Sequence, residues 1–535
     1  SNLYMIFHTD GDEIRRRALE LLPAPLSDRT TIAISADHLH HGPDTAFDVN
    51  HDWFELMIDR AAEAIAEAVT SRRPARLLVG ETDHFFGLGD GRDPRILDPT
   101  MGVLQATATN GRKIATLVFW GNHPEVTLGW EPPSTALGED CQALGIVDDC
   151  SAEGRYLTSD FPGAMAEVIE ERVGGLALFF NGALGGLVTP LRAAVWEITE
   201  DHQLGDGLSP PEGASAPGGG DDYQNRNFRR AWVIGEQLAI AALAALEDGH
   251  QLTHPRISYD SQPFYTRLTH RGFRLLSVVD PETGFTRLGH LPAMLYGCPA
   301  EGPKDDETCA PDQFRTIPDE VLGEIREGDH LRSEVAYLRI GPVGVMFVPA
   351  EIAPELVIGL PAGYRDDPSL WHADDPALHA FGAEYTGPGY VKNRMDDRYR
   401  WMVGLGNDEL GYVIPISDWR VGCVADLLSG PGACAQLHQA GVIEYPDAVA
   451  GATCRTVTDD PSRLGDYPEE AAAGMAASCA YGQVLVEAEG HYEETNSAGW
   501  DLADDILRTV GDLTGDYSDE MVNPDFPGHW GGYPP

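Results

Sequence analysis

Apolar positions in this chain recur in two patterns, at helical spacing over charged segments and as short continuous runs. The helical spacing, with helix-start signals, predicts helices over residues 12–22, 53–69, 161–173, 229–246 and 500–513. Runs of β-branched and aromatic residues predict strands over residues 2–9, 30–35, 75–79, 116–120, 176–180, 343–348 and 401–405, with more between 252 and 278. Because strands and helices interleave, the predicted class is α/β (α+β), a mixed central β-sheet flanked by helices.

Polar residues follow the ends of several of these strands. His38 and His40 follow the 30–35 strand, and residues two apart in a strand point to the same side. His123, Glu351 and Tyr412 follow three other strands. Open α/β sheets bind ligands beyond the carboxyl ends of their strands, so these side chains are expected to share a site. A strand-end cap, a first-turn helix carboxylate and a core aromatic are the respective structural alternatives for the last three.

The charge balance limits the classes of partner. Acidic residues outnumber basic ones 85 to 37, and the formal net charge is −48. Such a charge argues against nucleic acid and anionic membranes as partners. The acidic surface is explained by solubility, and Ca²⁺ binding at acidic surface loops is the functional alternative. No continuous run of 18 apolar residues is present, so no transmembrane segment is predicted.

The eight cysteines fall into pairs that are close in sequence, and three of the pairs bracket loop-like stretches rich in Gly, Pro and Asp. We therefore expect disulfides that staple loop insertions, between Cys141 and Cys150, Cys298 and Cys309, Cys423 and Cys434, and Cys454 and Cys479. Disulfides indicate an oxidising compartment, which means a secreted, extracellular or periplasmic protein. Free thiols in a cytoplasmic protein are the alternative.

The chain is divided into one large domain over residues 1–515, with an insertion at 416–485, and an extended Pro/Gly-rich tail at 516–535. The apolar run at residues 2–9 suggests a central strand with neighbours on both sides. This leads us to expect that an N-terminal part of the domain is missing. A separate N-terminal polypeptide or a homo-oligomer would then complete the sheet.

Five short motifs stand in a particular order along the chain. They are His38-Leu39-His40-His41-Gly42-Pro43, His123-Pro124, the Gly-rich turn from Gly182 to Thr189-Pro190, Val348-Pro349-Ala350-Glu351 and Asn407 to Tyr412, with Tyr492-Glu493 after them. This ordered set resembles the catalytic domain of the neutral/alkaline, non-lysosomal ceramidases, a family of zinc amidases. The resemblance covers about residues 5 to 510.

The resemblance implies a zinc ion held by His38, His123, Glu351 and Tyr412. Zinc bound by imidazole and carboxylate groups can activate water for attack on an amide carbonyl. His40 would then orient the water or carry its proton.

The remaining implied roles concern the substrate. Tyr492 and an arginine such as Arg92 would stabilise the oxyanion, and Thr189 would bind the substrate near its carbonyl. The chain departs from the family pattern at Leu187, where an Asp is usual, and at Thr189, which stands at a Ser position.

Two functions follow from these observations. The first is a secreted zinc-dependent amidohydrolase acting on an N-acyl amide, lipid-like or other, or on an ester. The second is a non-catalytic extracellular structural or assembly subunit built on the same scaffold.

Overall fold

The computed structural model describes most of the chain outside the predicted insertion. The described residues are 3–46, 49–92, 95–130, 156–186, 188–270, 295–299, 301–311, 329–363, 389–416, 419–422, 432–440, 448–450 and 496–526, with isolated positions between 454 and 479. The helices in these ranges are α1 (His8–Glu20), α2 (Ala24–Ser27), α3 (His51–Thr70), α4 (Asp160–Val173), α5 (Phe228–Glu247), α6 (Pro354–Ile358), α7 (Ala433–Gln439) and α8 (Leu502–Thr514).

The strands are β1 (Ala75–Asp83), β2 (Thr100–Ala108), β3 (Lys113–Trp120), β4 (Leu176–Asn181), β5 (His250–Leu252), β6 (Ile257–Arg267), β7 (Leu295–Gly297), β8 (Ala310–Pro311), β9 (Asp329–Ile340), β10 (Val343–Phe347), β11 (Glu351–Ile352), β12 (Leu360–Pro361), β13 (Tyr399–Val403), β14 (Tyr412–Val413), β15 (Arg420–Gly422), β16 (Ala448–Ala450) and β17 (Val522–Asn523). They confirm the predicted α/β class, with mixed sheets flanked by helices.

The longer strands form two mixed sheets rather than one. The first has the order β4-β3-β2-β1-β5 and is antiparallel except for the β3–β4 pair. The second runs β13-β10-β9-β7-β8, with β6 also on β9, and its β10–β13 pair is parallel. The parallel pair in each sheet ends near the segments that carry the predicted site residues.

The two sheets pack face to face through an aromatic layer. Phe119 stacks on Phe180 and on Trp401, with ring centroids 4.8 and 4.9 Å apart. Gly102 is required beneath the Trp401 indole, because a Cβ at that position would lie 2.2 Å from the ring. Helices α4 and α5 pack together, α5 contacts β1 and β2, and α8 packs against β6 and β9. The burial of apolar surface between these layers provides the main stabilisation of the fold.

All five predicted helices are confirmed, as α1, α3, α4, α5 and α8. One of the two 20-residue helices, α3, shows the helical burial pattern: Phe54, Ile58, Ala62 and Ala66 are its buried residues, each four positions from the next. The side chain of Asn50 accepts a hydrogen bond from the Trp53 amide and caps this helix.

Two predicted strands are wrong. Residues 3–7 are largely buried but form no strand, because side chains bind their backbone: the amides of Leu3 and Met5 donate to Asp37 and Thr45. Residues 30–35 are extended but make a single bridge, from Ser35 to Gly406. The run at residues 3–7 signalled burial, and side-chain acceptors replaced the neighbouring strand there, whereas residues 30–35 are half-buried or exposed. The prediction of a separate polypeptide partner rested on a strand at residues 2–9, and residues 3–7 form no strand.

Two of the four expected disulfides are confirmed, Cys298–Cys309 and Cys454–Cys479. The other two pairs lie outside the described side chains, as does most of the predicted insertion. In the predicted tail, β17 pairs with β12 in parallel, so this part of the chain runs extended along the domain.

Candidate metal centre

Three histidines from distant segments converge in the interior. One ring nitrogen from each of His38, His40 and His123 lies within 4.8 Å of the corresponding nitrogens of the other two. Their ring centroids are 4.8 to 5.6 Å apart. His38 adopts a left-handed backbone conformation, with φ of 63°, which is rare for a residue other than glycine. This turn, and not strand alternation, directs the first two imidazoles to one place.

Backbone carbonyls fix the orientation of two of the rings. Nδ1 of His38 lies 3.2 Å from the Tyr4 carbonyl, and Nδ1 of His123 lies 2.7 Å from the Val188 carbonyl. A carbonyl oxygen can only accept, so each Nδ1 must carry the hydrogen. Nε2 of His38 is then unprotonated and lies 3.5 Å from one Glu351 oxygen. Nε2 of His123 lies 3.0 Å from the other oxygen, close enough to donate a hydrogen to the carboxylate.

Glu351 and Tyr412 reach the cluster as neighbours in a short parallel pair. They are directly opposite each other in the β11–β14 ladder, and the Glu351 amide donates to the Gly411 carbonyl. The Tyr412 hydroxyl lies 3.4 Å from Nε2 of His123. Gly185 allows the Gly-rich turn to approach, because a Cβ there would lie 2.1 Å from the Glu351 carbonyl oxygen.

A buried asparagine joins the two histidine-bearing loops. The Asn181 side-chain amide donates to the carbonyls of Asp37 and Asn122, at 2.9 Å each. Its oxygen accepts from the Asn122 amide, also at 2.9 Å. Asn181 ends β4, whose parallel pairing with β3 brings it beside that loop. The amide therefore fixes residues 37–38 relative to residues 122–123.

His40 lies beside a second carboxylate. Its backbone amide donates to the Pro124 carbonyl, and its Nδ1 is 3.9 Å from an oxygen of Glu125. The Thr189 hydroxyl donates to Glu125 and also accepts from the Leu191 amide. His40 Nε2 is buried and has no hydrogen-bond partner within the described part of the chain.

Burial sets the charge state of the cluster. It lowers the pKa of His38 and of His40 well below the usual value, and the neighbouring imidazoles lower both further. Burial also acts to lower the pKa of His123, but hydrogen bonding to Glu351 and the charge of Glu125 outweigh it, so this pKa is raised. Burial raises the pKa of Glu125. Two of the three imidazoles are thus held neutral, the form in which histidine binds metal ions.

The residues present fit a divalent metal ion of the zinc type. Neutral imidazoles and a carboxylate are the ligands that zinc takes in hydrolytic sites. Carbonyl acceptors at Nδ1 are the supporting contacts usual for metal-binding histidines. The buried and unpartnered Nε2 of His40 is a further donor atom without another function in the described residues. Among those residues, this is the one group of three or more histidine, cysteine or acidic side chains close enough to hold an ion.

The other residues predicted for the site lie in different settings. Thr189 is buried next to the cluster through Glu125. Arg92 forms a buried ion pair with Glu355. Tyr492 lies outside the described residues. The role of each of these three remains a prediction.

Sequence reasoning missed several residues that support the centre. Tyr4 stacks on the His38 ring at 4.9 Å and meets the His40 ring edge at 5.0 Å. Asn181 and Glu125 were also missed. Only Glu125 carried a readable signal, since an acid two positions after His123 in a turn would lie near that imidazole.

Comparison with known proteins gave matches among solved structures alone. No protein-family model and no curated protein matches the chain. A structure described as a ceramidase complexed with C2 matches with a TM-score of 0.43 and 15% identity, over 78% of this chain and 61% of that one. Neutral ceramidase from Pseudomonas aeruginosa matches with a TM-score of 0.45 and 14% identity, over 99% and 68%. The function proposed below is therefore argued from the site geometry.

No helix within the described ranges combines the length and the apolar character needed to cross a bilayer.

Proposed function

We propose that the protein is a zinc-dependent hydrolase that cleaves an N-acyl amide. The observation that carries the proposal is the convergence of His38, His40 and His123 with Glu351 and Tyr412 in one buried cluster. Five such groups from four separate segments have no structural need to meet. Buried carboxylates and imidazoles are costly unless they are paired or bind a metal.

The ligand set proposed for zinc is His38 Nε2, His123 Nε2, Glu351 and the Tyr412 oxygen. The two Nε2 atoms are already turned toward Glu351, so little reorganisation is needed. When bound, the ion would polarise the substrate carbonyl and increase the acidity of water. Tyr412 would supply the fourth protein donor, its oxygen, beside the water that the ion would activate.

His40 is proposed as the proton carrier. Its lowered pKa keeps the ring neutral at neutral pH, so that one of its nitrogens, which we propose to be Nε2, can accept the proton of the attacking water. The same nitrogen can return that proton to the departing amine nitrogen, so that one water and one amide give one acid and one amine. Tyr492 and Arg92 are proposed to stabilise the oxyanion, and Thr189 to bind near the carbonyl.

An apolar wall beside the cluster supports a substrate with an acyl chain. His41 stacks on Tyr156 at 4.8 Å, and Phe228 packs edge-on against Trp130 at 5.0 Å. Phe228 leaves about a third of its surface exposed. A lipid-like N-acyl amide is therefore the proposed substrate class, and the two described disulfides support the proposal of an extracellular or periplasmic location.

The first experiment is metal analysis of the purified protein combined with an activity panel. We expect about one zinc per chain, absent from His38→Ala and Glu351→Ala. The panel contains an N-acyl sphingoid base, an N-acyl amino acid and a simple ester, each assayed with and without chelator. Zinc-dependent cleavage of the amides supports the proposal. Failure to take up stoichiometric zinc after demetallation contradicts it and favours the non-catalytic scaffold.

A further inference from the structure

The three histidines of the cluster differ in what faces their Nδ1 atoms. His38 and His123 each meet a backbone carbonyl, which is neutral and fixed by the fold. His40 meets the carboxylate of Glu125 instead, at 3.9 Å between Nδ1 and Oε2. This separation is an ion-pair distance, longer than a hydrogen bond, and such contacts often tighten when a site is filled.

Glu125 is itself held in place. The Thr189 hydroxyl donates to its carboxylate, and Thr189 is fixed by a backbone bond from its amide to the Gly89 carbonyl, at 2.7 Å. The side chains of Glu125 and His40 are about 10% and 18% exposed, so water screens their contact little. A Thr189–Glu125–His40 chain therefore leads from the Gly-rich turn to the third imidazole.

We propose that Glu125 is a positioning residue for His40. It attracts the hydrogen to Nδ1 of His40 and so leaves the buried Nε2 as the unprotonated nitrogen at the metal centre. Without Glu125 nothing else described at Nδ1 selects between the two tautomers. The idea deepens the proposed function, since it assigns the group that makes His40 usable as a proton carrier.

The direct test reads the tautomer in metal-free protein. Ring nitrogen shifts of ¹⁵N-histidine-labelled protein are compared between wild type, Glu125→Ala and Thr189→Val, and the His40 signal is identified by its loss in His40→Gln. We expect the Nδ1–H tautomer at His40 in wild type and a mixture in Glu125→Ala. Thr189→Val, which keeps the carboxylate but frees it, should give an intermediate result. Glu63→Ala, on the exposed side of α3, is the matched control and should leave the shifts unchanged.

The second test uses turnover in a double-mutant cycle. Glu125→Ala should lower kcat about 10- to 100-fold, less than the roughly 10²–10⁴-fold expected for loss of the proton carrier itself, because His40 remains. It should have no further effect in the His40→Ala background, because a positioning residue acts only through its partner.

Each outcome decides the matter. An unchanged His40 tautomer in folded Glu125→Ala, or an equal loss of kcat in both backgrounds, overturns the proposal. If Glu125→Ala does not fold, Glu125→Gln and Thr189→Val carry the same measurements, and a wild-type tautomer in both overturns it. Because the tautomer is read without metal, it tests Glu125 even if the protein binds no zinc; failed zinc uptake would contradict only the hydrolase.

Discussion

Two glutamates four residues apart on one segment have opposite surroundings. Glu351 faces the imidazoles of His38 and His123, and burial holds the pKa of His38 well below its usual value. Glu355, on the following short helix, faces the Arg92 guanidinium, and both side chains of that pair are about 1% exposed. The pair is compensated at every ordinary pH, because arginine is always charged. The cluster around Glu351 reaches a comparable balance only with a proton or a metal ion.

The different surroundings of Glu355 and Glu351 distinguish a buried charge with a structural role from one with a proposed functional role. In the Arg92–Glu355 ion pair two opposite charges compensate each other inside the fold. The cluster around Glu351 still contains atoms that can bind a metal ion. The clearest case is the buried Nε2 of His40, which has no hydrogen-bond partner in the described residues. The ion pair with Glu355 gives Arg92 a structural role, and its role at the oxyanion remains a proposal.

The largest effect on stability is expected from breaking the buried Arg92–Glu355 ion pair. Glu355→Leu should lower the free energy of unfolding by about 3–5 kcal/mol, because the buried Arg92 guanidinium loses the carboxylate of its ion pair. Urea unfolding measures this change. The matched control is Glu197→Leu, which breaks a half-exposed pair with Arg229 and should cost below about 1 kcal/mol.

Equal losses of unfolding free energy in Glu355→Leu and Glu197→Leu would contradict the distinction between the buried and the half-exposed ion pair. The double variant Arg92→Leu/Glu355→Leu should recover stability and keep zinc. If it is stable and binds zinc but has lost turnover, Arg92 acts on the oxyanion after all.

Metal removal tests the cluster around Glu351. Zinc at 1,000 times its Kd should raise the free energy of unfolding by about 4 kcal/mol, since binding favours the folded state alone. Glu351→Ala should abolish this gain, as judged by urea unfolding with zinc and with chelator. Glu63→Ala should retain it. A zinc gain of the wild-type size in Glu351→Ala would place the ion elsewhere.

His84, a buried histidine outside both the ion pair and the cluster, extends the comparison to the effect of pH on stability. Burial lowers the pKa of His84 to about 4. The unfolded chain therefore binds more protons between pH 6.5 and 4, so stability is complete above about pH 6.5 and falls as the pH drops through this window. We expect His84 to account for about 2–3 kcal/mol of the loss.

His84→Phe should flatten the dependence of unfolding free energy on pH in zinc-free protein. The Trp120 indole bond is retained in this variant, because it is made to the His84 backbone carbonyl. His202→Phe, at an exposed loop, is the control. An unchanged slope in His84→Phe would assign the acid sensitivity to the histidine cluster.

The smallest effect is expected from one hydroxyl at the edge of the cluster. Tyr412→Phe should keep zinc but weaken its binding about tenfold, roughly 1.4 kcal/mol, because His38, His123 and Glu351 remain. Competition with a chromophoric chelator measures the affinity. Tyr517→Phe, which is well exposed, should bind zinc like wild type. Complete loss of zinc in Tyr412→Phe would show that the tyrosine oxygen is indispensable for zinc binding.

The sequence by itself determined the helices, most strands and the residues that meet at the centre. Amphipathic spacing is local, so α3 and its buried stripe follow from residues 51–70 alone. The apolar run at residues 3–7 reported burial correctly although the predicted strand was wrong, whereas the run at 30–35 is only half-buried or exposed. The grouping of His38, His123, Glu351 and Tyr412 followed from the order of motifs.

Only the tertiary structure decided how those groups are used. Whether an apolar run becomes a strand depends on which acceptor reaches its amides, and Asp37 and Thr45 replaced a neighbouring strand at residues 3–5. The partner of Arg92 lies 263 positions away, and the Nδ1 acceptors of His38 and His123 lie 34 and 65 positions away. Hydrogen bonds and ion pairs of this range have no periodicity along the chain, because they depend on the three-dimensional meeting of segments and not on local spacing.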